Sequence, residues 1–258
     1  LTLRDVFRPA GSTEAVRLPY WVANATVYEN GARFQFTPDM LSRYSVIGYT
    51  HHLKKRELDA ACYDLPLAVG LKASASFPVA FPATTLRCAP VADTLNPYLH
   101  LMDGGLVDNM GYRTAIELLR QDRAKRKVLL IIDAYKGGSR PHSHREHSPA
   151  GTQVGYRIMN IALDSDHNRL DANICSLLPA SDAVGQTPIE VITLSFDSLR
   201  PAPGRQDTAA MIALYHEARA VATSLNITRR EQQLLMDAGR AAVAAQRDEL
   251  IRHLLPLK

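Results

Sequence analysis

Cysteine is scarce in this chain of 258 residues, and its three cysteines, Cys62, Cys88 and Cys175, are widely separated. No Cys-x-x-Cys pair occurs, and the number of cysteines is odd. Small disulfide-stabilised domains and cysteine-based zinc sites both require a denser and more regular pattern. The sequence therefore argues against both classes of protein.

Long apolar runs and nucleotide-binding motifs are also lacking. No stretch is long and apolar enough to span a bilayer as a helix. No Gly-x-Gly-x-x-Gly follows a predicted strand, and no Walker A pattern occurs. A nucleotide-binding α/β domain, which those motifs would indicate, has little support.

A large excess of charge of one sign is absent as well. The formal net charge of +4 is mildly basic and lacks the clustering that is typical of nucleic-acid binding, so no nucleic-acid partner is predicted. Two basic runs occur, at residues 54–56 and 123–127. We interpret them as solvated surface. The alternative is attraction to anionic lipid headgroups, which would give a peripheral membrane contact.

The sequence also has no Gly-x-Ser-x-Gly, the pattern that exposes a nucleophilic serine at a strand-to-helix turn. The nearest match in spacing runs from Gly151 to Gly155 and carries Gln153 at the position of the serine. Ser74 and Ser76 lie near the end of a predicted helix without flanking glycines, so we interpret them as packing residues.

Hydropathy patterns predict alternating strands and helices. Strands are predicted at residues 20–27, 33–37, 98–102, 127–133 and 189–195, the first two forming a hairpin. Helices are predicted at residues 64–76, 112–123, 151–178, 206–224 and 228–255. Asp64 and Asn109 are the predicted N-caps of the first two helices. The apolar run 127–133 is typical of a central parallel strand covered on both faces, and with the preceding strand and helix it predicts a βαβ unit.

Residues 136–150 are rich in glycine, proline, serine and histidine and predict a long loop. Three of its histidines, His142, His144 and His147, suggest a metal site, but no carboxylate or cysteine pattern accompanies them. We predict a solvated loop and no metal. A lid over an active site is an intermediate hypothesis.

The most informative feature is Asp103-Gly104-Gly105, directly after the apolar run at residues 98–102. A carboxylate at a strand end followed by two glycines places an acid in an open site. Glycine permits a positive φ and the close approach of another backbone or of a substrate. The alternative is a turn or helix-capping aspartate, which Asp-Gly dipeptides commonly contain.

Residues 73–82 read ASASFPVAFP, and residues 103–109 read DGGLVDN. Together these segments resemble the patatin-like phospholipase family. The resemblance implies that Asp103 is the catalytic aspartate of a Ser–Asp dyad, that lipid esters are the substrates, and that no metal or other cofactor is needed. The substrate-binding residues that it implies are Phe77, Val79, Phe81, Gly104 and Gly105.

The resemblance also implies a fold class, α/β: a three-layer patatin-like fold with a mostly parallel central sheet flanked by helices, an N-terminal hairpin and C-terminal helices. Residues 1–200 are expected to form the C-terminal part of the acyl hydrolase domain, and residues 201–258 a helical extension packed on it. Because the family's serine elbow and glycine-rich oxyanion loop are both lacking, we expect the serine to lie in a missing upstream segment.

The predicted function is part of a serine lipid acyl hydrolase of phospholipase A or lysophospholipase type, inactive as this chain alone. Its predicted partner is the N-terminal part of the domain that bears the nucleophile. The alternative hypothesis is a catalytically inactive patatin-like module that binds lipid or a protein.

Overall fold

A computed structural model describes residues 1–6, 20–51, 56–78, 80–89, 97–135, 151–178, 187–201, 209–221 and 226–254. The strands are β1 (Asn24–Val27), β2 (Arg33–Gln35), β3 (Val46–His51), β4 (Arg56–Asp59), β5 (Thr84–Cys88), β6 (Tyr98–Asp103), β7 (Lys127–Asp133) and β8 (Ile189–Ser195). The helices are α1 (Leu3–Val6), α2 (Pro38–Arg43), α3 (Leu67–Ser74), α4 (Gly105–Asp108), α5 (Tyr112–Gln121), α6 (Gly151–Asn168), α7 (Leu170–Leu177), α8 (Ala209–Ala220), α9 (Arg229–Ala245) and α10 (Arg247–Leu254), with a 3₁₀ helix at Phe196–Leu199.

The chain divides into two units. The first contains Leu1–Thr114 and Pro149–Leu170, and the second contains Ala115–Ser148 and Asp171–Lys258. None of the helices in the described part of the chain has both the length and the hydropathy needed to cross a bilayer.

The first unit is built on a six-stranded sheet with the order β2-β1-β6-β5-β3-β4. Every neighbouring pair in this sheet is antiparallel. The prediction of a mostly parallel central sheet is therefore wrong. The connections within the pairs β1–β2, β3–β4 and β5–β6 are too short for a crossover helix, which a parallel pair requires.

The β1–β2 hairpin agrees with the predicted one. Ala25 pairs with Phe34, and Gly31 in the connecting turn has a φ of 68°, a conformation that glycine adopts without strain. Phe34 is fully buried in the core of this unit. The local alternation of residues in both strands was enough to predict their pairing.

β6 lies between β1 and β5, so both of its edges are paired. Leu99 and Leu101 face the core, whereas His100 lies on the other face, where its Nδ1 is 3.0 Å from the hydroxyl of Thr85. Helix α3 packs against β1, β5 and β6. The core also contains Leu3, Ala25, Val27, Phe34, Phe36, Leu41, Val46, Leu65, Val69, Ala73 and Leu86.

The start of α3 differs from the prediction. The helix begins at Leu67 after Pro66, and none of the described side chains caps its first turn. Asp64 instead accepts a 2.8 Å hydrogen bond from the guanidinium of Arg4, so its predicted capping role is wrong. One N–H group of the first turn, that of Leu67, donates instead to the carbonyl oxygen of Leu1 (3.1 Å).

The second unit contains a parallel pair, β7 and β8, in register from Lys127 opposite Ile189 to Asp133 opposite Ser195. Both strands have the predicted bounds. The predicted βαβ unit is wrong, because β6 and β7 belong to different sheets. The predicted cover on both faces is also wrong, since Ile132 is 74% exposed.

Three helical elements of the second unit form a hydrophobic core. The 3₁₀ helix, α8 and α9 meet at the buried residues Leu199, Tyr215, Ala218, Ala238 and Ala242. The predicted helix 228–255 is two helices, α9 and α10, that meet at Gln246. Similarly, the predicted helix 151–178 is α6 followed by α7, and the predicted loop 136–150 lies outside the described residues.

Candidate active site

Asp103 is the last residue of β6, and hydrogen bonds fix its backbone on both sides. Its N–H donates to the carbonyl oxygen of Ser76 (3.0 Å). Its own carbonyl oxygen accepts from the hydroxyl of Thr26 on β1 (2.7 Å). The end of α3 and the neighbouring strand β1 therefore both hold this residue, which fixes the direction in which its side chain leaves the backbone.

The Asp103 carboxylate forms a turn at the start of α4. Its Oδ1 accepts the N–H of Gly105 at 2.7 Å. Among the described residues, this amide is the one donor within hydrogen-bonding distance of the carboxylate, so Oδ2 is open to a further donor. The side chain is partly buried. Burial raises the pKa of the carboxyl, and the bond from Gly105 opposes that shift.

The two glycines after Asp103 are required by close contacts and not by their backbone angles. Gly104 has a φ of −67°, and a methyl group on it would lie 2.3 Å from the carbonyl oxygen of Asn24. On Gly105, a methyl group would lie 2.9 Å from Oδ1 of Asn109 and 3.0 Å from Oδ1 of Asp103. Among the described glycines, only Gly31 and Gly111 have a positive φ. The predicted close approach is correct, and the predicted positive φ is wrong.

Asp108, five residues further on, caps α5. Its carboxylate accepts the backbone N–H of Arg113 (3.3 Å) and of Thr114 (3.2 Å), and lies 3.5 Å from the guanidinium of Arg33. The prediction that Asn109 is this cap is wrong. The N–H groups of Arg113 and Thr114 bind the carboxylate of Asp108, and Asn109 ends α4 with helical backbone angles (φ −58°, ψ −38°).

The carboxyl group of Asp108 is completely buried. Burial raises its pKa, while the bonds from Thr114 and Arg113 and the charge of Arg33 act in the opposite direction. A buried carboxyl with this number of donors is a structural element, because removing it leaves several donors without an acceptor.

A hydroxyl connects this cap to the Asp103 turn. The hydroxyl of Thr114 donates to Oδ1 of Asn24 (2.8 Å) and accepts from Nε2 of Gln35 (3.1 Å). Asn24 is the residue whose backbone lies against Gly104. The sequence did not predict this network. The available signal was a residue type that favours N-caps, just before an amphipathic helix. Asn109 provides this signal as well as Asp108 does.

The predicted substrate-binding residues Phe77, Val79 and Phe81 follow Ser76 directly. We call them the wall residues, and the turn that contains Phe77 and Phe81 the wall turn. Phe77 is partly buried, and its carbonyl oxygen accepts the N–H of Ala80 (3.2 Å) and of Phe81 (2.8 Å), which forms a turn. Phe81 is 47% exposed. Val79, the third predicted wall residue, lies outside the described residues.

The wall turn and the Asp103 turn are adjacent through backbone hydrogen bonds. The carbonyl oxygens of Ser74 and Ser76 accept the N–H groups of Gly104 and Asp103. Ser76 itself is 1% exposed, and its hydroxyl donates to the carbonyl oxygen of Lys72 (2.7 Å). Ser76 is therefore a packing residue, as predicted, and is inaccessible as a nucleophile.

Searched against known proteins, the chain matches no protein-family model and no curated sequence. The resemblance to patatin-like phospholipases therefore stays a prediction that depends on the two motifs. In the part of the chain that the structure describes, no group of three or more histidine, cysteine or acidic residues is arranged to hold a metal ion.

Proposed function

We propose that this chain supplies the aspartate of a Ser–Asp dyad in a lipid acyl hydrolase of phospholipase A or lysophospholipase type. In this proposal the serine comes from a polypeptide segment outside the present sequence. One observation carries the proposal: the partly buried Asp103 carboxylate has one oxygen held by Gly105, and none of the residues that the structure describes donates to the other.

The reaction requires a base for the serine hydroxyl, which is a poor nucleophile at neutral pH. Oδ2 of Asp103 accepts the serine proton as the serine oxygen attacks the ester carbonyl carbon. The carbon–oxygen bond to the leaving alcohol then breaks, and the alcohol takes that proton. In the second half, water attacks the acyl carbon and gives a proton to Asp103. The bond between the acyl carbon and the serine oxygen then breaks, the fatty acid leaves, and Asp103 returns the proton to the serine oxygen.

The raised pKa of Asp103 supports this role. A carboxylate with a higher pKa is a stronger base, and general bases are most effective when their pKa lies closer to the working pH. The fixed backbone of Asp103 supports it too, since a proton acceptor must be held in place relative to the nucleophile.

Asp133 provides a matched control for the turn itself. It is the last residue of β7, and its Oδ1 accepts the N–H of Tyr135 (2.8 Å), the same bond that Asp103 makes to Gly105. Asparagine retains an acceptor oxygen at both positions, so each substitution preserves the turn and removes the charge. Only the Asp103 substitution removes the proposed base.

The experiment uses the full-length natural protein and compares Asp103→Asn with Asp133→Asn. Hydrolysis of p-nitrophenyl and phospholipid esters is measured, together with labelling by a fluorophosphonate. We expect Asp103→Asn to lower kcat by about 100-fold or more, the usual contribution of a general base. Asp133→Asn should have activity close to that of the parent.

Two outcomes would overturn the proposal. Full activity in Asp103→Asn would mean that another group is the base. Absence of both turnover and labelling in the unaltered protein would favour the inactive binding module, which lipid-vesicle sedimentation would then test directly.

A further inference from the structure

Lys72, in the last turn of α3, binds the chain beyond the wall turn. Its ammonium group donates to the carbonyl oxygens of Pro82 (3.2 Å) and Ala83 (3.5 Å) and to the hydroxyl of Thr84 (2.9 Å). An ammonium group has three protons, so these acceptors use all of them. All three acceptors directly follow the turn that contains Phe77 and Phe81.

The backbone of the same lysine binds the chain before that turn. The carbonyl oxygen of Lys72 accepts the hydroxyl of Ser76 at 2.7 Å, and the hydroxyls of Ser76 and Thr84 are 3.2 Å apart. Both Ser76 and Thr84 are buried. Lys72 therefore ties together the two ends of the wall turn.

These contacts are unusual for a lysine at the end of a helix. Such a lysine normally interacts with the last carbonyl groups of its own helix or extends into solvent. Here the acceptors belong to a different segment, and the ammonium is partly buried, which lowers its pKa. A partly desolvated charge is retained where its hydrogen bonds compensate for the lost water.

We call these hydrogen bonds of Lys72 the clamp. The chain that the clamp holds is also hydrogen-bonded to Asp103, the proposed base. Ser76, whose hydroxyl binds Lys72, accepts the backbone N–H of Asp103 through its carbonyl oxygen. The position of the wall turn relative to Asp103 therefore depends on the chain between Lys72 and Thr84.

We infer that Lys72 is a specificity-determining residue, which sets how the Phe77–Phe81 turn receives the acyl chain of a lipid ester beside Asp103. The inference rests on the proposed hydrolase function. Lys72 does not touch the reacting atoms; it acts by holding the apolar turn in one position.

The test compares Lys72→Met, which keeps the length of the side chain and removes its donors, with Lys125→Met. Lys125 is an exposed lysine in the second unit and is the matched control. Thr84→Val, which removes one of the three acceptors, is a milder second variant that remains informative if Lys72→Met folds poorly.

The first readout does not depend on enzymatic activity. Hydrogen–deuterium exchange at the amides of Ala80 and Phe81 reports whether the turn is held in place. We expect at least tenfold faster exchange in Lys72→Met, a smaller acceleration in Thr84→Val and the parent rate in Lys125→Met. Parent-like exchange in both Lys72→Met and Thr84→Val would overturn the clamp.

The second readout is the ratio of kcat/KM for a 16-carbon acyl ester to that for a 4-carbon acyl ester. We expect the ratio to change at least fivefold in Lys72→Met and to stay at the parent value in Lys125→Met. If Lys72→Met accelerates hydrogen exchange in the turn but leaves the kcat/KM ratio unchanged, Lys72 does not determine acyl-chain specificity. Full activity in Asp103→Asn would refute the proposed function instead, while the exchange measurement would still decide whether Lys72 is a clamp.

Discussion

The carbonyl oxygen of Asn24 lies so close to Gly104 that a methyl group on Gly104 would come within 2.3 Å of it. The carbonyl oxygen belongs to the backbone and the methyl group is attached directly to the Cα of residue 104. No change of side-chain rotamer can therefore relieve the contact. We expect Gly104→Ala to lower the free energy of unfolding by about 2 kcal/mol, a typical cost of overpacking. Urea denaturation followed by circular dichroism measures it.

Gly239→Ala is the control for this substitution, with the opposite expected sign. Gly239 lies inside α9, is exposed, and has no atom within 4 Å of the position of an added methyl group. Alanine in an exposed helix interior should raise the free energy of unfolding by about 0.5–1 kcal/mol. The close packing at Gly104 would be contradicted if Gly104→Ala did not lower the free energy of unfolding. The open space at Gly239 would be contradicted if Gly239→Ala lowered it.

The charge of Asp103 should oppose folding near neutral pH. Burial raises its pKa, so the folded protein holds the proton more tightly than the unfolded chain, whose carboxyl titrates near ~3.9. Stability is therefore lost as the pH rises from that value through the folded-state pKa. We expect Asp103→Asn to increase Tm more at pH 7 than at pH 3, as measured by differential scanning fluorimetry.

Asp122 is the control for this pH dependence. Its Oδ1 accepts the N–H of Ala124 (2.6 Å), the same type of turn on an exposed residue. Asp122→Asn should change the pH profile of Tm less than Asp103→Asn does. An Asp103→Asn variant that is less stable than the parent at pH 7 and equal to it at pH 3 would reverse the expected sign.

Asp108 should contribute strongly to the stability of the first unit. Alanine at this position removes the cap of α5 and leaves the partly buried guanidinium of Arg33 without this carboxylate. We expect a loss of about 3 kcal/mol, in the range found when one partner of a buried ion pair is removed. Chemical denaturation measures the loss, and a change below that of an exposed aspartate such as Asp122 would refute the capping role.

Thr26 offers a nearly isosteric test of how the Asp103 turn is held. Thr26→Val removes the hydroxyl that donates to the Asp103 carbonyl oxygen and keeps the shape of the side chain. We expect a loss of about 1 kcal/mol in the free energy of unfolding, the net value of one hydrogen bond. Thr26→Ser restores the donor, so it should recover most of this loss; equal effects of valine and serine would exclude the hydrogen bond as the cause.

Local sequence patterns were sufficient where each element is determined by its own residues. The apolar runs of β7 and β8 and the alternation of the β1–β2 hairpin predicted those strands correctly. Strand direction in the main sheet depends on distant partners, and no local pattern encodes them. The strands β3, β4 and β5 were not predicted. Glu57 on β4 and Arg87 on β5 form an ion pair between residues that are distant in the chain, and no local pattern encodes such a contact.

At the candidate site, too, the features that depend on local sequence were predicted and those that depend on distant residues were not. The strand end at Asp103 and the need for small residues after it followed from the sequence. The choice of Asp108 over Asn109 as a cap did not, because both residue types suit that role and only the folded chain determines which side chain reaches the N–H groups of Arg113 and Thr114. The clamp at Lys72 was also invisible, since its acceptors are mainly backbone carbonyl groups, which every sequence has.

The bond from Thr26 to Asp103 joins residues 77 positions apart in the chain. A contact of such large sequence separation forms only after the entropy of closing the intervening loop has been overcome. The carboxyl group of Asp103 acquires its raised pKa only when the chain around it has folded, because burial causes the shift. In the unfolded chain the same carboxyl group has the acidity of an ordinary aspartate.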